Sequence, residues 1–197
     1  MIRWWPALGL AGVVLLGLAV GDGTTALDEW FQRLGRQHPA LGYLLVFTDA
    51  RVTLGLGVCV LLIALYRRRW RLAAVVAVAP LLAVLSARIA KRLFGRYKDD
   101  ALAYPSGHTT VAVVVLGMAV LVAGAATWTV IAATVAVALG VVGQGVTYHF
   151  FTDAVGAVLL GTALVSVLAV LAERGPDRPP TKLDGCQPGC DVDHSGR

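Results

Sequence analysis

Between Thr109 and Tyr148 the chain runs for forty residues without a charged side chain. That is twice the roughly 20 apolar residues a helix needs to cross a bilayer core. The stretch therefore crosses and returns, and Ala123–Thr127, with Gly124 inside it, supplies the turn. Four further uncharged blocks accompany it: Trp4–Gly21, Val52–Tyr66, Leu72–Ala87 and Ala154–Ala172. Soluble domains interrupt their apolar residues every few positions. Here 57% of the 197 residues are hydrophobic and only 15% charged, with the charges gathered at block ends. The expected class is an all-α, polytopic membrane protein in the cell membrane. Its six spans lie near 4–21, 44–66, 71–88, 106–123, 128–146 and 153–172. The first block reads as a retained span, since no small-x-small cleavage site precedes a soluble domain. Asp49 and Arg51 interrupt the second near its start.

Outside the blocks, "GDGTTALDEWFQRLGRQHPA" carries Leu27, Trp30, Phe31 and Leu34 at helical spacing, as in a helix lying on a membrane surface. Residues 173–197 hold too few apolar side chains to fold and read as a disordered tail, leaving 1–172 as one membrane domain. Within that tail Cys186, Cys190 and His194 form C-x3-C-x3-H. Without a second ligand pair it does not read as a metal site, and no cofactor is expected. Cys59, inside a span, reads as a small core residue.

The net charge of +5 comes from cations at span ends, which suits anionic headgroups rather than nucleic acid. "YRRRWR", residues 66–71, is the densest cluster and fits the cytoplasmic side. Six spans then bring both termini to that side. Eight cations fall opposite (Arg33, Arg36, Arg51, Arg88, Lys91, Arg92, Arg96 and Lys98), almost as many as the nine inside. They need a separate reason.

Counting crossings brings "ARIAKRLFGRYKDD", "PSGH" and "YHFFTD" to one membrane face. His149 and Asp153 are four apart and share a helix face. A carboxylate on one imidazole nitrogen fixes the tautomer and leaves the other nitrogen as a nucleophile; for the pair alone, an ordinary polar cap where the last span begins is the favoured reading. In Pro105-Ser106-Gly107-His108, Ser106 can cap a helix whose free N–H groups attract an anion, Gly107 lets backbone approach it, and His108 could protonate a leaving oxygen. A plain turn with an interfacial histidine is the simpler reading. Arg88, Lys91 and Arg92 share a face, with Arg96 and Lys98 beyond. They are either snorkelling cations or the fixed charges a transferring phosphoryl group requires.

In order and spacing these segments resemble the type-2 phosphatidic acid phosphatase/haloperoxidase family, whose pattern is K-x6-R-P, then P-S-G-H, then S-R-x5-H-x3-D. The second motif is complete here, as is the H-x3-D half of the third. In the first, Lys91 stands in place, but Lys98 replaces the arginine and Asp99 the proline. Val142 and Gly143 occupy the Ser-Arg positions of the third. The resemblance spans about residues 40–172 and implies six membrane helices and a metal-independent lipid phosphatase. It implies His149 as nucleophile through a phosphohistidine, Asp153 as its orienting partner and His108 as acid and base. It implies that Lys91, Ser106, the Gly107 backbone and Lys98 hold phosphate oxygens. Lysine lacks the bidentate fork of arginine, and Gly143 supplies nothing in place of the third-motif arginine, a loss that Arg96, Arg92 or Arg51 is expected to make up, with Arg96 counted among the phosphate ligands. The expected partner is a membrane lipid phosphate, polyprenyl or glycerolipid, met at the extracytoplasmic face. Two other classes stay open. One is a family member that binds headgroups, or an envelope partner, without turnover. The other is a transporter, against which stands the gathering of ionisable residues at span ends rather than mid-membrane.

Overall fold

The computed structural model describes residues 4–173, and Cys186, Cys190 and His194 lie outside them. Among the described residues the chain is helical apart from one tiny hairpin. Its elements are α1 (Trp5–Val20), α2 (Ala26–Gln37), a 3-10 helix (Pro39–Thr48), α3 (Ala50–Tyr66) and α4 (Trp70–Phe94). Then come β1 (Tyr97–Lys98), β2 (Ala101–Leu102), α5 (Gly107–Val122), α6 (Thr127–Val146) and α7 (Phe151–Glu173). Four segments are long and apolar enough to cross a membrane: Pro39–Tyr66 taken together, α4, α6 and α7. α1 and α5 are apolar too, but at 16 residues each they span only about 24 Å.

Local chemistry sets the boundaries. Thr25 and Asp28 form a capping box at the start of α2, each side chain accepting from the other's N–H. The expected start of the second span, residue 44, is too early for an α-helix. Asp49 is no interruption but the N-cap of α3, and its Oδ1 accepts from the N–H groups of Arg51 at 2.8 Å and Val52 at 3.2 Å. The preceding ten residues wind instead as a 3-10 helix packed on α6. Gly95, at φ +66°, ends α4 in the left-handed conformation that favours glycine.

α5 lies at the centre, packed on α3, α4, α6 and α7, while α1 lies along α7. Val60, Val76, Ala79, Ala83, Val114, Met118 and Leu168 form the principal core. The same core holds Ala64 and Ala73 beside Ala79 and Ala83, and such small residues let helix backbones approach closely where surrounding lipid gives no hydrophobic drive. Leu62, Leu85, Ile131 and Val135 are exposed. All five tryptophans are exposed as well, and they sit at the two ends of the bundle. Trp4, Trp5, Trp70 and Trp128 join Tyr66 at one end; Trp30 joins Tyr43, Tyr97 and Tyr148 at the other.

Tyr104 fastens the loop before α5 into this frame. It is fully buried, meets Phe94 edge-on at 5.0 Å, and donates from Oη to the Val13 carbonyl at 2.6 Å. Burial and the charge of Asp153 push its phenol up, so it remains a donor. The ring fills a slot that exists because residue 156 is glycine: a Cβ there would lie 2.6 Å from Tyr104 Oη. Gly156→Val is therefore expected to lower stability by about 1–3 kcal/mol through overpacking. Thermal unfolding in detergent checks this, and an unchanged melting temperature would show that the ring yields freely.

Candidate functional site

A cavity of ≈ 850 Å³ opens between α3, α4 and α5. Lys91, Lys98, Gly107, His108 and His149 line one end of it. From that end its walls continue as apolar side chains, among them Leu54 and Leu61 on α3, Pro80 and Val84 on α4, and Val111 and Val115 on α5. Of the residues expected at the site, these five meet at the cavity. Ser106, Asp153 and Arg96 stand behind its wall.

The turn before α5 is held from two directions. Ser106 Oγ accepts from the Thr109 N–H at 3.4 Å and the Thr109 hydroxyl at 3.1 Å, so it caps α5 from a buried position. Its own N–H donates to the Asp153 carbonyl at 3.1 Å, tying this turn to the start of α7. Gly107 faces open space: a Cβ there would meet nothing within 4 Å. His108 thus stands in the first turn of a fixed helix, beside bare backbone.

His149 hangs from the end of α6, its N–H donating to the Gln144 carbonyl at 3.0 Å. Gln32 on α2 grips the same corner, donating from Nε2 to the carbonyls of Gly145 at 2.8 Å and His149 at 3.1 Å. The His149 Nδ1 is buried, lies 3.6 Å from Asp153 Oδ2, and has no hydrogen-bond partner. That separation exceeds a hydrogen bond, yet a small ring movement closes it, and such contacts commonly tighten only around substrate. His149 itself lines the cavity. Asp153 is fully buried; its Oδ2 accepts from the Phe150 N–H at 3.1 Å and its Oδ1 from Arg96 Nη1 at 2.7 Å.

Arg96 departs from expectation. It was expected among the phosphate ligands, but its side chain is 1% exposed and both of its terminal nitrogens are committed elsewhere. Nη1 also donates to Thr152 Oγ1 at 2.8 Å, and Nη2 donates to the Gly23 carbonyl at 2.7 Å and to Asp28 Oδ2 at 3.1 Å. The arginine bridges two buried carboxylates, and this arrangement leaves it no face toward the cavity. Two lysines hold the cavity end instead. Lys91 Nζ donates to the carbonyls of Leu102 and Ala103, and Lys98 Nζ donates to the Thr147 carbonyl at 3.2 Å. Burial pushes the Lys98 ammonium below the ordinary lysine range, with Asp99, Asp153 and Asp28 opposing that shift.

Asp28 is the residue that sequence reasoning missed. Its capping-box spacing marks a helix start, and nothing local signals that it also reaches α7. There it accepts from the Thr152 N–H at 2.9 Å and the Thr152 hydroxyl at 3.0 Å. Burial pushes its carboxyl up, but the hydrogen bonds from Thr152, Thr25 and Arg96 outweigh that and hold it below its ordinary 3.8. A depressed carboxyl contributes stability that is complete above its unfolded value and lost as pH falls through the lower, folded one. Wild-type stability should therefore drop steeply below about pH 4, and Asp28→Asn should flatten that acid limb. Parallel profiles for the two proteins would show that Asp28 contributes nothing there.

The glycine at position 143, where the family pattern has arginine, also has a physical reason. A Cβ there would lie 2.7 Å from the carbonyl carbon of Leu44 and 2.8 Å from the N of Leu45. The 3-10 helix occupies the space that a side chain would need, and Gln144 Nε2 fastens it by donating to Thr48 Oγ1 at 2.8 Å. Gly143→Arg is thus expected to destabilise by at least about 1–3 kcal/mol, as read by thermal unfolding in detergent. A Gly143→Arg variant as stable as wild type would overturn that account.

No protein-family model, curated protein or solved structure matches the chain.

Proposed function

We propose that this protein is an integral membrane lipid phosphatase that works through a phosphohistidine without a metal ion. The observation that carries the reading is the cavity, which joins two imidazoles and two lysines at one end to apolar walls between helices. An amphiphile with a phosphate at its tip matches that polarity along its length. His149 Nε2 attacks phosphorus, Asp153 behind Nδ1 stabilises the ring, and the bridging oxygen leaves with a proton from His108. Water then attacks the phosphorus–nitrogen bond and gives its proton to His108, which releases phosphate and restores both histidines. Lys91 and Lys98 offset charge growing on the phosphoryl oxygens. Those two ammonium groups can do the electrostatic work for which other phosphatases use divalent ions.

The reading includes six spans with both termini and "YRRRWR" on the cytoplasmic side. Exposed tryptophans and tyrosines at both ends of the bundle support it, since such side chains favour the two membrane interfaces. In a chain whose cysteines are replaced by serine, new cysteines at Asp100 and Tyr148 should label together with an impermeant reagent in intact cells, and one at Arg68 should not.

A second reading, headgroup binding without turnover, is favoured by the filled space at Gly143 and the burial of Arg96. Phosphate release from a panel of lipid phosphates in excess EDTA decides between them. Release that survives the chelator supports the phosphatase. Binding of every lipid without release supports the second reading, and loss restored by a divalent ion would overturn the metal-free mechanism.

A further inference from the structure

The order of side chains along α4 bears on how many phosphates a lipid in the cavity would carry. Pro80, Val84 and Arg88 follow one another at intervals of four along the cavity wall, and Lys91 comes one turn later. Arg88 therefore stands between the lysine–histidine end and the apolar wall. Among the described residues it has no hydrogen bond or ion pair, whereas Lys91, Lys98 and Arg96 each have acceptors in the protein. A lipid monophosphate with its phosphorus at His149 would place its first carbons at the level of Arg88. A lipid diphosphate would place its second, tail-side phosphate there, where a guanidinium can take two oxygens at once.

Resting on the phosphatase reading, we infer that the substrate is a lipid diphosphate whose tail-side phosphate is held by Arg88. The bond broken is the one between the terminal phosphorus and the bridging oxygen. That oxygen leaves as part of the lipid monophosphate, protonated by His108, and the terminal group passes to His149 and then to water as orthophosphate. Each turnover consumes one water and needs no other reactant. The leaving lipid monophosphate keeps its charge beside Arg88, and the apolar walls hold its chain.

The test compares a prenyl diphosphate with the monophosphate of the same chain, using the full-length protein in detergent. Wild type should favour the diphosphate in kcat/KM by about 10- to 100-fold, the size of one or two charge-assisted hydrogen bonds. Arg88→Ala should lower that ratio about tenfold or more, and Arg88→Lys should restore part of it. Arg88 is exposed, so these variants should fold. Equal or better hydrolysis of the monophosphate by wild type overturns the inference and leaves the phosphatase standing. So does an Arg88→Ala variant that slows both lipids in proportion, which would mark Arg88 as an anchor at the membrane surface. Release from neither lipid overturns the phosphatase reading itself, and the inference with it.

Discussion

His149→Ala is expected to abolish phosphate release, lowering kcat by about 10^4- to 10^6-fold, as removal of an activated nucleophile does. The variant should remain folded, because the His149 Nδ1 has no hydrogen-bond partner to lose. Its backbone bonds to Gln32 and Gln144 do not involve the ring. Rapid quenching of wild type with a radiolabelled lipid phosphate should trap acid-labile label on the protein, and His149→Ala should trap none. His108→Ala should be slowed most with monophosphate esters, whose alkoxide leaving group requires a proton more than a phosphate does. Residual turnover of His149→Ala within tenfold of wild type would place the nucleophile elsewhere.

Arg96→Met should cost about 3–5 kcal/mol of stability, the penalty for removing one partner from a buried charge cluster. It leaves Asp28 and Asp153, both 0% exposed, without the cation that joins them. One of the two must then take up a proton or turn outward, and Asp153 is the one beside His149. Turnover per folded molecule should therefore fall together with stability. Arg96→Lys keeps the charge but cannot reach all four acceptors, so it should lie between. Melting in detergent, with kcat corrected for the folded fraction, separates the two effects. A stability change below about 1 kcal/mol would mean that the cluster is solvated and contributes as little as a surface pair.

The helices were legible in the sequence because their signals are local. Uncharged runs located the six apolar helices, the stripe of Leu27, Trp30, Phe31 and Leu34 located α2, and Gly124 located the turn between α5 and α6. Counting crossings put His108, His149, Lys91 and Lys98 on one face without side-chain detail, and in the structure all four line one cavity. What stayed hidden depends on partners far away in the chain. Arg96 sits among other cations and reads as one of them until Asp28 and Asp153 are found on either side of it. Gly143 reads as a deletion of function, and only the backbone of Leu44 and Leu45 shows that the space is taken. Asp49 reads as a break in a span because a capping carboxylate and an interrupting one look alike in one dimension.

The bond from Thr152 to Asp28 joins residues 124 apart, and that separation orders events during synthesis. The chain emerges from its N-terminus, so α3, α4 and α5 can enclose the apolar part of the cavity while α7 is still unmade. Throughout that interval Asp28 and Arg96 lack Asp153, and His149, only four residues ahead of it, is among the last parts of the site to be made. Closing so long a loop is entropically the last step to be rewarded. On the phosphatase reading, a partly made chain is thus an apolar cleft without chemistry, and competence arrives only with α7.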